Sequence, residues 1–234
     1  MTETGAPTDP QGAASSPALD TVARLERFYG PLPSPPSDPF RAYVWEVLST
    51  QTTPVRRDAA YAALLRIPAL TPDAMFRAPR AKLVAAVAQA GAYGEQRLHA
   101  LLTGVERFRR YRTLASAIGG PRLRDAVRAA SLLPKVGDGA AHRVLLYGGG
   151  QRLMPVDRDV VRMVTRLGWT ASTPERGVRR RVRRAVEQGL PDEPGTMLRV
   201  ATYLRHHAQH TCTDEPHCSV CPLADTCRAA RTAR

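Results

Sequence analysis

The chain has 234 residues, a formal net charge of +13 and an apolar fraction of 43%. This length allows one large domain or two modest ones, and the apolar residues are numerous enough for a hydrophobic core, which excludes a wholly disordered chain. Arginine carries almost all of the charge, since Lys82 and Lys135 are the only lysines. Such a basic excess favours a polyanionic partner, nucleic acid first, although a merely solvated surface would give the same number.

Targeting signals are absent from the sequence. No apolar run approaches the roughly 18 residues of a membrane helix, and the N-terminus lacks the charged start and apolar centre of a signal peptide. We therefore expect a soluble, monomeric, cytoplasmic protein without a membrane partner, associated with the nucleoid if it is bacterial.

The fold class predicted from the pattern of apolar residues is all-α. Residues 1–18 mix small, polar and proline residues and predict a disordered tail. After them, amphipathic segments follow one another through short loops, with few convincing strand patterns. Helices are predicted over Leu19–Tyr29, Phe40–Thr52, Pro54–Arg66, Pro72–Phe76, Lys82–Ala90, Gln96–Arg110, Pro121–Ala130, Ala140–Tyr147, Val160–Leu167, Gly177–Glu187 and Gly195–His207.

The most informative stretch is 131–169. Pro134, Gly137 and Gly139 interrupt a helical pattern and predict a tight hairpin between two helices. The second of these helices would open with free backbone N–H groups, which suit a phosphate. After the three consecutive glycines 148–150, the chain is predicted to be extended as far as Asp157, which stands at a helix N-cap position. Taken alone, the hairpin is more typical of an ordinary helix–turn–helix connection.

All four cysteines lie near the C-terminus, in the pattern Cys212-x5-Cys218-x2-Cys221-x5-Cys227. This is metal-ligand spacing, because thiolates must converge on a compact centre. Disulfides do not suit an intracellular chain. The spacing itself leaves both a zinc site and an iron–sulfur cluster open.

The hairpin LPKVG (133–137), the downstream Val156-Asp157 and the cysteine pattern together resemble the endonuclease III superfamily of helix-hairpin-helix DNA glycosylases. The resemblance implies a two-lobed fold, with a six-helix barrel over 35–151 that carries the hairpin. The second lobe, helical and holding an iron–sulfur cluster, would combine 19–34 with 152–234. The resemblance also favours a [4Fe–4S] cluster over zinc, although the first cysteine loop is one residue shorter than in the family.

The resemblance also implies catalytic roles. Asp157 takes the place of the catalytic aspartate, which stabilises the developing sugar cation and orients water. The lysine that forms a Schiff base in bifunctional members is replaced by Gly139, which predicts a monofunctional enzyme with weak or absent AP-lyase activity. Glu46 falls where adenine-excising relatives keep an acid. It is either a proton donor for the departing base or an exposed surface glutamate.

DNA contacts follow from the same resemblance. Gln51 matches the glutamine that fills the gap left by the flipped base, and Ala92 stands where the family has a bulky wedge. Hairpin residues expected to contact DNA are Leu133, Lys135, Val136, Gly137 and Gly139, with Lys135 meeting a phosphate. Two features oppose DNA binding, namely Asp138 and the acidic first loop of the cysteine cluster, 213–217.

The function expected is therefore base-excision repair of damaged DNA, double- or single-stranded, by a glycosylase that flips and removes one base. The alternative is a catalytically weak or inactive DNA-binding paralogue. The sequence leaves the base open among oxidised pyrimidines, mismatched thymine or uracil, and adenine. The arginine run 179–184 is as typical of a solvated helix face as of a phosphate-binding one.

Overall fold

The computed structural model describes residues 16–171, 177–193 and 195–232, and within these ranges it contains helices but no strand. The all-α prediction is confirmed. The predicted tail, apart from residues 16–18, lies outside the described residues. The helices are α1 (Pro17–Tyr29), α2 (Pro39–Leu48), α3 (Pro54–Arg66), α4 (Pro72–Arg77), α5 (Arg80–Ala88), α6 (Gly94–Arg110), α7 (Leu114–Ile118), α8 (Leu123–Ala130), α9 (Asp138–Arg143), α10 (Arg158–Leu167), α11 (Val178–Glu187), α12 (Thr196–His210) and α13 (Arg228–Thr232).

Proline and side-chain caps fix the starts of the early helices. Each of α1 to α4 has proline in its first turn, where the missing N–H costs nothing. Asp38, Thr53 and Thr71 cap α2, α3 and α4 by accepting a hydrogen bond from a backbone N–H three residues on. Helix α1 begins at Pro17 and buries Ala18, so this helix starts two residues earlier than predicted.

The end of α2 and the short helix α7 both differ from the sequence prediction. Helix α2 ends at Leu48 rather than Thr52, which leaves Gln51 in a turn with a left-handed backbone (φ 48°). The short helix α7 was not predicted, because five residues are too few for a periodic pattern.

The buried apolar side chains form two clusters. The first draws its members from α2 to α9 and the segment that follows, between Phe40 and Leu153. The second joins α1 to α10, α11 and α12 and reaches Leu223 in the cysteine region. Helix α2 serves both clusters, since Tyr43 belongs to the first and Ala42 to the second.

Helix α9 continues into a single π-helical turn, Val144–Gly148, that packs against α2. Its last residue must be glycine, because a Cβ there would lie 2.6 Å from Pro39 Cα. A Cβ at Gly149 would lie 2.5 Å from the carbonyl oxygen of Ile118. Gly148 and Gly149 therefore allow neighbouring backbone segments to approach closely. None of the described helices combines the length and apolarity that crossing a bilayer requires.

Candidate active site

The hairpin joins α8 to α9 through residues 131–137. Lys135 occupies the left-handed region (φ 59°), where a residue without Cβ is favoured, and its side chain is exposed. Gly137 is exposed at the N-cap of α9, and Val136 is partly buried. Leu133, in contrast, is only 4% exposed and belongs to the first core cluster. The Leu133 side chain therefore anchors the turn, and the predicted contact of this residue with DNA stays a prediction.

Gly139 lies in the first turn of α9, against the segment that carries Asp157. A Cβ at Gly139 would stand 3.2 Å from Asp157 Cβ and 3.4 Å from the carbonyl oxygen of Val156. Gly139 is not among the residues with positive φ. A side chain here would need the Asp157 segment to shift by a few tenths of an ångström, so this close approach, and not backbone conformation, favours glycine.

Asp157 is the N-cap of α10, as predicted. Its Oδ1 accepts a hydrogen bond from the backbone N–H of Val160 (3.0 Å). Its Oδ2 accepts one from Arg143 Nη1 (2.8 Å). The carboxylate is thus held at both oxygen atoms, while 24% of the side chain remains exposed to solvent.

Glu46 is buried, so its interpretation as a surface glutamate is wrong. Its side chain is 1% exposed. Arg143 Nε donates to Oε2 at 2.8 Å, and Arg205 Nη1 donates to Oε1 at 3.1 Å. Because Arg143 also binds Asp157, these four residues form one network, called here the four-residue network.

Charges balance within this network, with two carboxylates facing two guanidinium groups. Burial raises the pKa of Asp157, but the charge of Arg143, the Val160 N–H and the charge of Arg205 outweigh it and leave the pKa below its usual range. Burial likewise opposes the charge of Arg205, but the ion pair with Glu46 raises the pKa of this guanidinium above its usual value. Asp157 is therefore ionised at neutral pH.

The loops that carry Gln51 and Ala92 are held together by a buried arginine. Both residues are exposed. Arg97, 3% exposed, donates to the carbonyl oxygens of Gly91 and Ala92 and to those of Thr50 and Gln51. The two loops predicted to enter the duplex therefore have a fixed spacing.

The four cysteines line one largely apolar cavity of about 120 Å³ together with Met163, Leu167 and His207. The set of donors and their common cavity suit a thiolate-bound group. Nevertheless, no three His, Cys, Asp or Glu side chains of the described residues are drawn together as ligands of a metal ion. The [4Fe–4S] cluster stays a prediction.

The acidic loop 213–217 is tied to α10 by arginines. Asp214 Oδ2 accepts from Arg158 at 2.8 Å, and its Oδ1 accepts from Arg162 at 3.2 Å. Arg166 donates to the backbone carbonyl oxygens of Thr213 and Asp214. The carboxylate that was expected to repel phosphates is thus offset by neighbouring guanidinium groups.

Solved structures match the fold, although no protein-family model matches the sequence. A trapped endonuclease III–DNA covalent intermediate aligns with a TM-score of 0.68 at 18% identity, over 94% of this chain and 98% of that one. For a thermostable thymine-DNA glycosylase the TM-score is 0.69 at 15% identity, over 92% and 97%. The H. pylori 3-methyladenine DNA glycosylase MagIII, bound to 1,N6-ethenoadenine, gives 0.60 at 14%, over 82% and 94%.

The chain has the fold of the helix-hairpin-helix DNA glycosylases. The predicted fold class, all-α and two-lobed, is confirmed by this match. Within this fold, Asp157 and Gly139 are neighbours.

Arg143, Arg205 and Arg97 were missed by the sequence reasoning. Arg143 carried a usable signal, since an arginine inside the apolar run 140–147 is expected to have a buried partner. Nothing local indicated the partner, because Glu46 is 97 residues from Arg143 and 159 from Arg205.

Proposed function

We propose that this protein is a DNA base-excision glycosylase that flips a damaged or mismatched base out of DNA and cleaves the bond to its sugar. The observation that carries the proposal is the fixed, ionised carboxylate of Asp157 beside the second helix of the hairpin. Three structures with this fold support the substrate class, since they are an endonuclease III bound to DNA, a thymine-DNA glycosylase and a 3-methyladenine DNA glycosylase.

Asp157 supplies the charge that the reaction needs. As the base leaves, the sugar develops positive charge, which a nearby preorganised carboxylate stabilises. The contact with Arg143 keeps Asp157 oriented, and the exposed part of its side chain faces solvent from which an attacking water can come. The low pKa of Asp157 keeps this charge present through the whole physiological range.

Glu46 supports this site without donating a proton. Guanidinium groups donate hydrogen bonds and cannot accept them. Both oxygens of Glu46 accept from arginines and the side chain is 1% exposed, so neither oxygen is free to face a departing base. We assign Glu46 the role of holding Arg143, and through Arg143 the carboxylate of Asp157, in place of the proton-donor role suggested by the sequence.

The reaction should stop at an intact abasic site. Position 139 has no amine, and Lys135 is exposed on the hairpin turn, while Lys82 lies at the start of α5. An arginine cannot replace lysine in forming an imine, because its guanidinium stays protonated. This chain is therefore proposed to be monofunctional.

A panel of oligonucleotides tests the proposal. Each carries one lesion (oxidised pyrimidine, mismatched uracil or thymine, adenine opposite 8-oxoguanine, or an alkylated purine) in single- and double-stranded form. We expect base release from at least one substrate, with strand breaks only after alkali. Absence of release from every substrate, while the DNA is still bound, would instead favour the paralogue without catalysis.

Borohydride trapping separates the two reaction types. A monofunctional enzyme leaves no covalent protein–DNA complex after reduction. Efficient trapping that disappears in Lys135→Ala would show that the turn lysine forms the Schiff base and that the protein is a lyase.

We also propose that Cys212, Cys218, Cys221 and Cys227 hold a [4Fe–4S] cluster, since all four surround one cavity. Such a group would fix the C-terminal loop against α10 and take no part in base release. Iron analysis of an anaerobically purified sample should give about four irons per chain. Stoichiometric zinc without iron would overturn the assignment.

A further inference from the structure

Helix α11 is the most basic element of the described chain, with the sequence VRRRVRRAVE. Val182 and Val186 are fully buried in the second core cluster. The arginines therefore occupy the remaining sides of the helix. Whether they bind anything depends on where those sides lie and on which guanidinium groups are already paired.

The N-terminal end of α11 lies beside the hairpin. Arg179 Nη1 approaches Asp138 Oδ2 at 3.4 Å. Arg183 Nη2 is 2.8 Å from His142 Nδ1 in α9. Burial first, and then the charge of Arg183, lower the pKa of His142 to about 4, so its neutral ring can accept this bond. The negative charge that Asp138 brings to the hairpin is consequently offset by α11.

A second set of contacts fixes α11 to the segment that leads to Asp157. Arg183 Nε donates to the carbonyl oxygen of Met154 (3.0 Å), and Glu187 Oε1 accepts from the Met154 N–H (2.8 Å). Both contacts are part-buried and come from side chains one helical turn apart. Helix α11 therefore has a fixed position relative to both the hairpin and the catalytic segment.

Arg180 and Arg184 remain available for a ligand. Both are exposed, and neither has an ion pair or hydrogen bond to any of the described residues. They lie one turn apart on the same face, so about 6 Å separates their positions along the helix. One DNA strand carries a phosphate about every 3.4 Å along the duplex axis, so the two guanidinium groups can reach nearby phosphates of one strand.

We propose that α11 is a second phosphate-binding surface, through which Arg180 and Arg184 extend the DNA contact of the hairpin along the backbone. This inference rests on the proposed function, since it takes DNA as the ligand. Under this proposal the acidic loop 213–217 has no role in DNA binding, and the positive charge that contacts the phosphates lies on α11 instead. The rigid attachment of α11 to Met154 makes these phosphate contacts position the duplex relative to Asp157.

The dependence of DNA affinity on salt tests the proposal. Each phosphate contact contributes about 0.9 to the slope of log K against log salt concentration. The probe is a duplex that carries an abasic-site analogue. Arg180→Gln/Arg184→Gln should make the fall of log K with log salt concentration less steep by about 1.8 and weaken binding at least tenfold at 0.1 M salt. Base release by the same variant, with protein well below saturation, should fall along with its DNA affinity, because both arginines are proposed to hold the duplex.

A matched control removes the same charge elsewhere. Arg77 and Arg80 are exposed at the junction of α4 and α5. Helix α5 begins at Arg80 and ends near the Ala92 loop, so Arg80 lies at the end of α5 that is away from this loop. Arg77→Gln/Arg80→Gln should leave the slope unchanged, while Lys135→Gln should lower it by about 0.9 as a hairpin reference. Equal slopes for the α11 variant, the control and the unaltered protein would overturn the proposal. If the unaltered protein binds no DNA, the proposed function itself fails.

Discussion

Two charged regions flank α10, and they are built in opposite ways. At its start, Asp157 belongs to the four-residue network, in which Glu46 is 1% exposed and Arg143 10%. Along its length, Arg158 and Arg162 pair with Asp214, whose side chain is 69% exposed. Breaking a buried pair leaves a charge without water or partner, whereas an exposed pair contributes little. Removing one partner of an ion pair is therefore expected to have a large effect in the buried region at Asp157 and a small effect in the exposed region at Asp214.

The largest effect is expected on catalysis, from Asp157→Asn. Asparagine keeps the shape and the capping ability of the side chain but removes the negative charge. Single-turnover base release on the best substrate should fall by about 10² or more, with DNA affinity nearly unchanged.

Asp159→Asn is the matched control, because Asp159 lies in the same first turn and pairs only with Arg162 among the residues described. Base release by Asp159→Asn should stay within about twofold of the rate of the unaltered protein. If Asp157→Asn retained activity within a few-fold, another acid would carry the reaction.

The next largest effect should come from Arg143→Leu, which leaves two carboxylates of the four-residue network without their shared partner. We expect a loss of about 3–5 kcal/mol in the free energy of unfolding. For a chain of this size that corresponds to a fall in Tm of roughly 6–20 °C, measured by calorimetry.

Two further variants give this result a mechanistic meaning. Arg143→Lys keeps the charge, but an ammonium lacks the planar fork that binds both carboxylates. It should restore much of the stability and leave base release impaired, as expected if Arg143 positions Asp157. Full activity in Arg143→Lys would mean that only the charge matters. Arg124→Gln, an exposed site in α8, should change Tm by less than about 2 °C.

Features that depend on interactions between residues close in sequence could be predicted, and features that depend on residues distant in sequence could not. The hairpin and the N-cap at Asp157 depend on neighbours within a few residues, and both were predicted. The boundary at Leu48 was not, because Gln51 is held in its turn by Arg97, 46 residues away. Likewise the burial of Glu46 depends on Arg143 and Arg205, which folding brings from distant helices. Periodicity along one segment contains no information about such pairs.

A smaller effect is expected from pH, through His142. Burial and Arg183 lower the pKa of this ring to about 4 in the folded state, while the unfolded side chain titrates near 6.5. Between these values the unfolded state binds more protons, so stability falls as pH drops from about 6.5 toward 4. Tm should therefore decrease between pH 7 and 5, and His142→Gln should show a smaller decrease. An identical decrease in the variant would assign the effect to other groups, such as His206 and His207, whose pKa values are also lowered by burial.

The smallest effect is predicted for Asp214→Asn, which completes the contrast between the two regions flanking α10. Its partner Arg162 keeps other contacts, since it also binds Asp159 and the carbonyl oxygen of Ala208, and the side chain of Arg158 is 79% exposed to solvent. Solvent and salt screen the exposed pair, so the loss should be at most about 1 kcal/mol, or no more than about 4 °C in Tm. Base release and DNA affinity should both stay nearly unchanged, because the loop 213–217 has no proposed role in DNA binding. A fall in Tm comparable to that of Arg143→Leu would mean that exposure does not separate the two regions, and that the loop 213–217 is held mainly by this carboxylate rather than by Arg166 and its backbone contacts.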